Sequence, residues 1–430
     1  MKNKYLLYAF LLTLTAVSLN YYFATFLPDF FKTFRIGFLT IVVTIGLGLS
    51  FRQGKGFVLP VKLLILAMVL SIFVSYLTWG QEIPLGVLIT IPFLLWPTFF
   101  ILLKIKVPIE TIEKVVLIFG FAYIIGYLYQ FLHPTNVLFN LGMVDDEYKE
   151  SRGIIRIIFP GVGVLWLITA MATTKLTSSS NYKPLWIVLM ILGLVLPIMQ
   201  ATRSYIVPTV LIYIYHFSKY VSWTKKIIII TVLLVASMFI GNLEIPVFEG
   251  LLEQQEKTVD DGKKDIRYIA ATYFATEFSP SPINQILGNG MGHERSNYGQ
   301  FIKHLGQKGL FIPDIGIIGI YAYFGVIPII AWIMIGYKIY SYRIPDKYMY
   351  VKYYFFYIYF GALVGSTFYH VHYLITSIFA LYIFQTILED KKSKIINKIK
   401  SLNKKDRQIL KEILAYRSTK TQKKSVPEVP

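Results

Sequence analysis

The sequence predicts an all-α polytopic membrane protein, on the strength of its composition, the length of its apolar runs and the pattern within them. The 430 residues are 55% hydrophobic and only 16% charged, and mean hydropathy is +0.56. That leaves too little polar surface to cover a water-soluble globule of this size. Apolar runs of about 17 to 25 residues recur from Tyr5 almost to Leu388, each long enough to cross ~30 Å of hydrocarbon as a helix. None alternates with the sustained period of two that a barrel strand needs. Cysteine is absent, which excludes disulfides and thiolate metal sites.

The first run follows Lys2 and Lys4 and has no small-x-small cleavage site before the next one, so it reads as a helix rather than a signal peptide. Spans are expected at Tyr5–Phe26, Phe34–Phe51, Val61–Trp79, Pro84–Leu103, Val115–Leu132, Ile154–Thr174, Pro184–Met199, Ser204–Phe217, Ile227–Leu243, Ile315–Tyr337, Tyr353–Tyr369 and His372–Leu388, about twelve in all. With the N-terminus inside, the inner loops carry Arg52, Lys55 and Lys62; Lys104, Lys106 and Lys114; Lys175 and Lys183; Lys219, Lys225 and Lys226; then Lys338, Arg343, Lys347 and Lys352. Every inner loop then obeys the positive-inside rule. The chain divides into a transmembrane bundle, residues 1–388 with an outer loop at 244–313, and a basic cytoplasmic tail, 389–430. The tail has 13 basic and 5 acidic residues, and Ile395, Ile399, Leu402, Ile409 and Ile413 approximate a helical stripe. It reads either as lying on the anionic inner leaflet or as a solvated disordered tail. The net charge of +19 is thus accounted for by the membrane, and nucleic acid is not an expected partner.

Two outer segments are longer than turns, His133 to Gly153 and Glu244 to about Pro313, the second about 70 residues long. Long loops among short connections are usually functional or disordered. Ile266, Ile269, Ala270, Tyr273, Phe274 and Phe278 repeat at helical spacing, so Lys264 to Phe278 is expected to form an amphipathic helix, stopped by the Ser-Pro-Ser-Pro run at Ser279 to Pro282. In the following LGNGMGHERSNYG, Gly288, Gly290 and Gly292 permit backbone approach to a phosphate through exposed N–H groups. A mobile connector is the alternative reading. No strand precedes these glycines, so a dinucleotide-binding fold is excluded.

The stretch LPIMQATRSYIVP, Leu196 to Pro208, places Arg203 between two apolar runs, at the tip of a tight outer hairpin or just beneath the outer headgroups. An arginine can snorkel there at little cost. Other outer cations accumulate against the chain's own charge bias: Arg152 and Arg156 open the sixth span, Arg267 sits on the loop helix, and His293, Arg295, His304, His370 and His372 follow. A guanidinium fork holds pyrophosphate through bidentate, charge-assisted hydrogen bonds and stabilises charge developing on a leaving group. A lipid-linked diphosphate in the outer leaflet would meet these groups at the right depth.

The order of these features resembles the bacterial O-antigen polymerase and O-antigen ligase superfamily. The resemblance rests on about twelve helices, ATRS at an outer hairpin, a large outer loop between the ninth and tenth spans, ILGNGMG, and DIGIIG opening the tenth. It implies a GT-C-like glycosyltransferase architecture in the bacterial inner membrane, with both termini cytoplasmic. It also implies transfer of glycans from undecaprenyl diphosphate to an acceptor sugar on the outer face, without metal or other cofactor. Chain-length regulator and flippase proteins are the protein partners it implies. Arg203 and Arg267 would bind the diphosphate, with Gly288, Gly290 and Gly292 beside it, and Asp314-Ile-Gly316-Ile-Ile-Gly319 looks like the family's acidic residue followed by G-x-x-G. Ligases usually carry His-Asn or a similar pair eleven and ten residues before that first glycine; here Leu305 and Gly306 stand there, and His304 misses the register by one. The departure favours a repeat-unit polymerase over a ligase that delivers glycan to lipid A-core or another acceptor.

Candidate bases for the attacking hydroxyl are His304, His293 and Asp314. The plainer readings are that Asp314 caps the tenth helix, that His370 and His372 sit in an aromatic belt, and that the 32 tyrosines line the interfaces. The carboxylates of Asp145-Asp146-Glu147 and Asp260-Asp261 admit a divalent ion but read as solvated loop charge. Two further classes stay open. A lipid-linked oligosaccharide transporter would exploit helices broken at Pro92, Pro97, Pro160, Pro197, Pro208 or Pro328, although the span interiors are almost free of charge and show no half-to-half repeat. A scaffold would be indifferent to loss of Arg203 and Arg267.

Overall fold

The computed structural model describes residues 4–51, 53–133, 136–139, 150–151, 154–155, 157, 159–178, 182–200, 202–222 and 265–401, with backbone alone at 150–151, 154–155, 203 and 392–401. The described residues are helical apart from short connections and one two-residue antiparallel pair. The chain divides into two compact units, Met1–Ile383 and Phe384–Pro430.

Helices α1 (Lys4–Ser18) and α2 (Phe30–Ser50) are joined through a turn in which Asn20 adopts a left-handed conformation. Helix α3 (Val58–Trp79) ends at Gly80, whose φ of 65° supplies the left-handed cap that lets the chain leave the helix sharply. The run expected to be one span at Pro84–Leu103 is two short helices, α4 (Ile83–Thr90) and α5 (Thr98–Ile105). Pro92 and Pro97 bracket the break, and each lacks the N–H that a continuous helix needs there. Helix α6 (Ile109–Leu132) follows.

The helix in the stretch expected to be the sixth span begins later than expected. Glu150–Ser151 pairs with Ile154–Ile155, Pro160 and Gly161 form a turn, and α7 (Val162–Thr177) starts only at Val162. Every residue from Val162 to Thr174 is buried, which makes α7 the centre of the bundle; a helix apolar all round has to be enclosed on every side. It packs against α6, α8 (Lys183–Met199) and α9 (Arg203–Tyr220). The expected ninth span, Ile227–Leu243, lies outside the described residues.

Beyond it come α10 (Ile266–Thr276), α11 (Pro282–Leu287) and α12 (Asn297–Gln307). The stretch expected to be the tenth span is two helices that meet at Gly325, α13 (Ile317–Phe324) and α14 (Val326–Ser341). Gly325 has φ 75°, and a Cβ there would stand 2.2 Å from the carbonyl oxygen of Ile286, so the break is where α11 approaches. Helix α15 (Tyr350–Gly361) ends well before Tyr369, and α16 (Val371–Ser401) continues past Leu388. Of the tail's stripe, Ile395 and Ile399 are on this helix; Leu402, Ile409 and Ile413 lie outside the described residues.

Among the described residues four helical stretches are long and apolar enough to cross a membrane: Phe30–Ser50, Val58–Trp79, Ile109–Leu132 and Val371–Lys391. Lys4–Ser18, Val162–Thr177, Lys183–Met199 and Val326–Ser341 are apolar but shorter. Opposite the end where α3 finishes, Lys175 Nζ meets both carboxylate oxygens of Glu113 at 2.9 Å, and Tyr350 Oη donates to Glu113 at 2.7 Å, tying α6, α7 and α15 together.

Candidate functional site

The segment from Phe278 to Tyr298 is fastened to the end of α3 by a buried polar lock. Gln81, 1% exposed, uses its whole amide: Nε2 donates to Met291 O at 2.8 Å and Ser75 Oγ at 3.1 Å, while Oε1 accepts from His293 N and Ser296 Oγ, both at 2.7 Å. Asn284 Nδ2 donates to Asn289 Oδ1 at 2.9 Å and Thr78 Oγ1 at 3.1 Å, and Asn289 Nδ2 donates to Ala322 O at 3.1 Å. Trp79 completes the join. Its indole donates to Asn289 Oδ1 at 3.1 Å and its ring stacks on Phe278, Tyr298 and Phe301. A network with both ends satisfied holds a loop rigidly, because opening it strands several buried donors at once.

The glycines expected to approach a phosphate approach the protein's own helices instead. A Cβ on Gly288 would lie 2.4 Å from Phe324 Cα, and one on Gly290 would lie 2.6 Å from Ser75 Cβ and 2.7 Å from Ser71 O. Both have positive φ, 82° and 71°, which non-glycine residues rarely adopt. The N–H groups of Gly288, Asn289 and Gly290 donate to Asn284 O, Ala322 O and Tyr323 O, so they are committed to intramolecular bonds. Gly292 packs against Gly299. His293 is buried in the same lock, and its Nδ1 accepts from Arg295 N at 3.1 Å.

Arg267 and Asp314 are brought together. Asp265 caps α10 by accepting from Arg267 N at 2.7 Å, which sets Arg267 in the first turn of that helix. Ala270 and Phe274, three and seven residues on, are buried, and α10 packs on α13 and on the tight turn Ile312–Ile315 that carries Asp314. Between them is a cleft of about 230 Å³, lined by Ile266, Arg267, Ala270, Gly309, Phe311, Asp314 and Ile315. Both charged side chains are exposed, and they form no ion pair with each other. Asp314 does not cap the following helix, since Gly316 occupies that position without a side-chain bond. The cleft is smaller than the roughly 300–1,000 Å³ of a site enclosing a whole small molecule, so it suits part of a larger ligand.

Arg203 is the first residue of α9, directly after Thr202 in the hairpin that joins α8 to α9; its side chain lies outside the description. The hairpin is anchored by Gln200, whose Nε2 donates to Tyr123 Oη at 2.8 Å, and by Thr202 N, which donates to Pro197 O at 3.2 Å. The segment Tyr369–Tyr373, where the connector after α15 runs into the first turn of α16, touches both the helix after this hairpin and the cleft's turn. Tyr373 Oη is 2.9 Å from Tyr205 Oη, and Tyr369 Oη donates to Ile312 O at 3.4 Å. His370 and His372, expected in an aromatic belt, pack edge-to-face within this segment at 4.5 Å, with His372 buried. Many tyrosines are likewise internal; Tyr123, Tyr354 and Tyr357 are fully enclosed and hydrogen-bonded.

Of the remaining expected residues, His304 and Arg295 are exposed and lie outside the cleft. Arg152, Arg156, Asp145, Asp146, Glu147, Asp260 and Asp261 fall outside the described residues. Gln81, Asn284 and Asn289 were missed by sequence reasoning, and the one available signal was a polar residue immediately after the Trp-Gly end of a span. Comparisons with family models, curated proteins and solved structures find no match to this chain.

Proposed function

We propose that the chain is a membrane glycosyltransferase that polymerises undecaprenyl-diphosphate-linked oligosaccharide repeats, for O-antigen, capsule or exopolysaccharide, at the outer face of a bacterial inner membrane. The observation that carries the reading is the placement of Arg267 and Asp314 on one cleft, joined to the Arg203 helix through the segment Tyr369–Tyr373. On this reading about twelve spans cross the membrane in a GT-C-like arrangement, and both termini are cytoplasmic.

In the reaction, the non-reducing hydroxyl of one lipid-linked repeat attacks the anomeric carbon of the chain carried by another. The new glycosidic C–O bond forms as the bond from that carbon to the diphosphate oxygen breaks. The hydroxyl proton passes to the Asp314 carboxylate, and undecaprenyl diphosphate leaves as an anion. Arg203 and Arg267 hold the leaving group, and a preorganised cation aimed at developing charge contributes on the order of 10²–10³ in rate. Because the amides of Gly288 and Gly290 are occupied, the guanidinium groups rather than the glycine loop bind the phosphates. The loop's part is to fix α12 and the cleft wall on α3.

The test uses the purified full chain with one defined lipid-linked repeat. Wild type is expected to make a ladder of products and Arg203→Ala none; a ladder of equal length and yield from the variant would defeat the proposal. Orientation is checked separately. Since the chain has no cysteine, Lys303→Cys should react with an impermeant maleimide on spheroplasts and Lys104→Cys should not.

A lipid-linked oligosaccharide transporter is the second reading, favoured by the two broken spans at 83–105 and 317–341. Deletion separates the two. Single repeats stranded on the outer face indicate a polymerase, and repeats held inside indicate a transporter. The ligase alternative predicts long polymer left on its carrier.

A further inference from the structure

A second and larger cavity, about 710 Å³, opens at the far end of the bundle, between the end of α9, the end of α14 and the start of α15. Its wall is apolar, formed by Leu211 and Ile212 on α9 and by Met349 and Phe356 from α15 and the residue preceding it. Its rim is cationic, with Lys219, Arg343 and Lys352. From Leu211 to Lys219 along α9 is about 12 Å, so the apolar wall rises from the charged rim into the depth of the bundle. Among the described residues the ion pairs are Lys32–Asp29 and Lys175–Glu113, which leaves all three rim cations without one. The rim's carboxylate, Asp346, already accepts from Tyr220 Oη at 2.7 Å. Burial, and after it the neighbouring Lys219 charge, push the Lys352 ammonium below the usual lysine range.

We propose that this groove binds one anionic phospholipid, its phosphate headgroup on Lys219, Arg343 and Lys352 and an acyl chain along Leu211, Ile212 and Phe356. Charge complementarity argues for this occupant. A zwitterionic lipid would bring its own cation to a rim that already has three, and a soluble phosphate would leave the apolar wall in contact with water. The groove lies on the side opposite the Arg267 cleft in the proposed topology, where the leaflet is anionic and each nearby Lys or Arg strengthens attachment. The site is independent of the transferase reading and would stand if that reading failed.

Native mass spectrometry of the full chain, released from detergent after incubation with dioleoyl phosphatidylglycerol or dioleoyl phosphatidylcholine, tests it. One phosphatidylglycerol is expected to stay bound with at least about tenfold preference. Lys219→Gln/Arg343→Gln/Lys352→Gln should abolish the preference, whereas Lys104→Gln/Lys183→Gln/Lys303→Gln, with the same loss of charge elsewhere, should keep it. Leu211→Trp, an exposed position that tolerates a larger ring, should lower phosphatidylglycerol occupancy although every rim charge remains. Equal retention of both lipids, an unchanged preference in the rim variant, or full occupancy in Leu211→Trp would each overturn the proposal. So would displacement of the bound lipid by millimolar inorganic phosphate, which would make the rim a plain phosphate site.

Discussion

The cleft at Arg267 and the groove at Lys219 both set cations beside apolar side chains, yet they are built for different work. The cleft is about 230 Å³ and pairs one guanidinium with one carboxylate across a space that holds only part of a ligand. The groove is about 710 Å³, its rim carries three cations, and its wall is deep and apolar. Opposite charges facing each other without touching can divide labour in a reaction, one group holding an anion while the other takes a proton. Like charges crowded on an apolar rim can only hold an anion. The two regions also differ in support. The cleft's wall descends from a rigid polar lock on α3, whereas the groove is formed by the ends of helices.

The contrast breaks first at Arg267. Arg267→Ala should reduce ladder formation by about 10²–10³-fold, and Arg267→Lys should recover only part of it, because an ammonium keeps the charge and loses the fork. Next is the lock. Gln81→Leu strands the buried His293 N–H and should cost about 2–4 kcal/mol, read as a lower Tm of the detergent-solubilised protein, with activity falling in step. If activity fell at unchanged Tm, Gln81 would belong to the chemistry and the lock would have been misjudged. Gly290→Ala follows at about 1–3 kcal/mol, since the new methyl meets Ser75 and the backbone sits at φ 71°. Asp314→Asn should slow the ladder by about tenfold without moving Tm, a modest loss for a base whose proton can also pass to water. The smallest effect is at His304, where Ala should change the rate less than about twofold, as the ring is exposed outside the cleft.

These expectations also mark what could be read from the residues alone. The all-helical class followed from apolar run length, and the hairpin before Arg203 and the helix at 266–276 followed from periodicity and punctuation. The helix breaks were less legible. Pro92 and Pro97 are visible in sequence, but hydropathy averages over them, and the break at Gly325 depends on the approach of α11, which is a tertiary fact. The glycines of ILGNGMG were recognised as sites of close approach, but nothing in a local pattern says whether the approaching group is a phosphate or a helix backbone. Gln81 acts through partners about 210 residues away in sequence, at Met291 and His293, and no periodicity can report such a contact. The groove was hidden for the same reason. Lys219, Arg343 and Lys352 appeared only as separate contributions to a charge bias, and their assembly needs three helix ends folded together.

The account turns on arginines that grip a diphosphate, and equilibrium binding of undecaprenyl diphosphate and undecaprenyl monophosphate to the nanodisc-embedded chain examines that directly. Arg203→Ala and Arg267→Ala should each weaken the diphosphate by at least about tenfold while changing the monophosphate far less, because one bidentate charge-assisted contact is lost. Wild-type affinity for the diphosphate in either variant would contradict it.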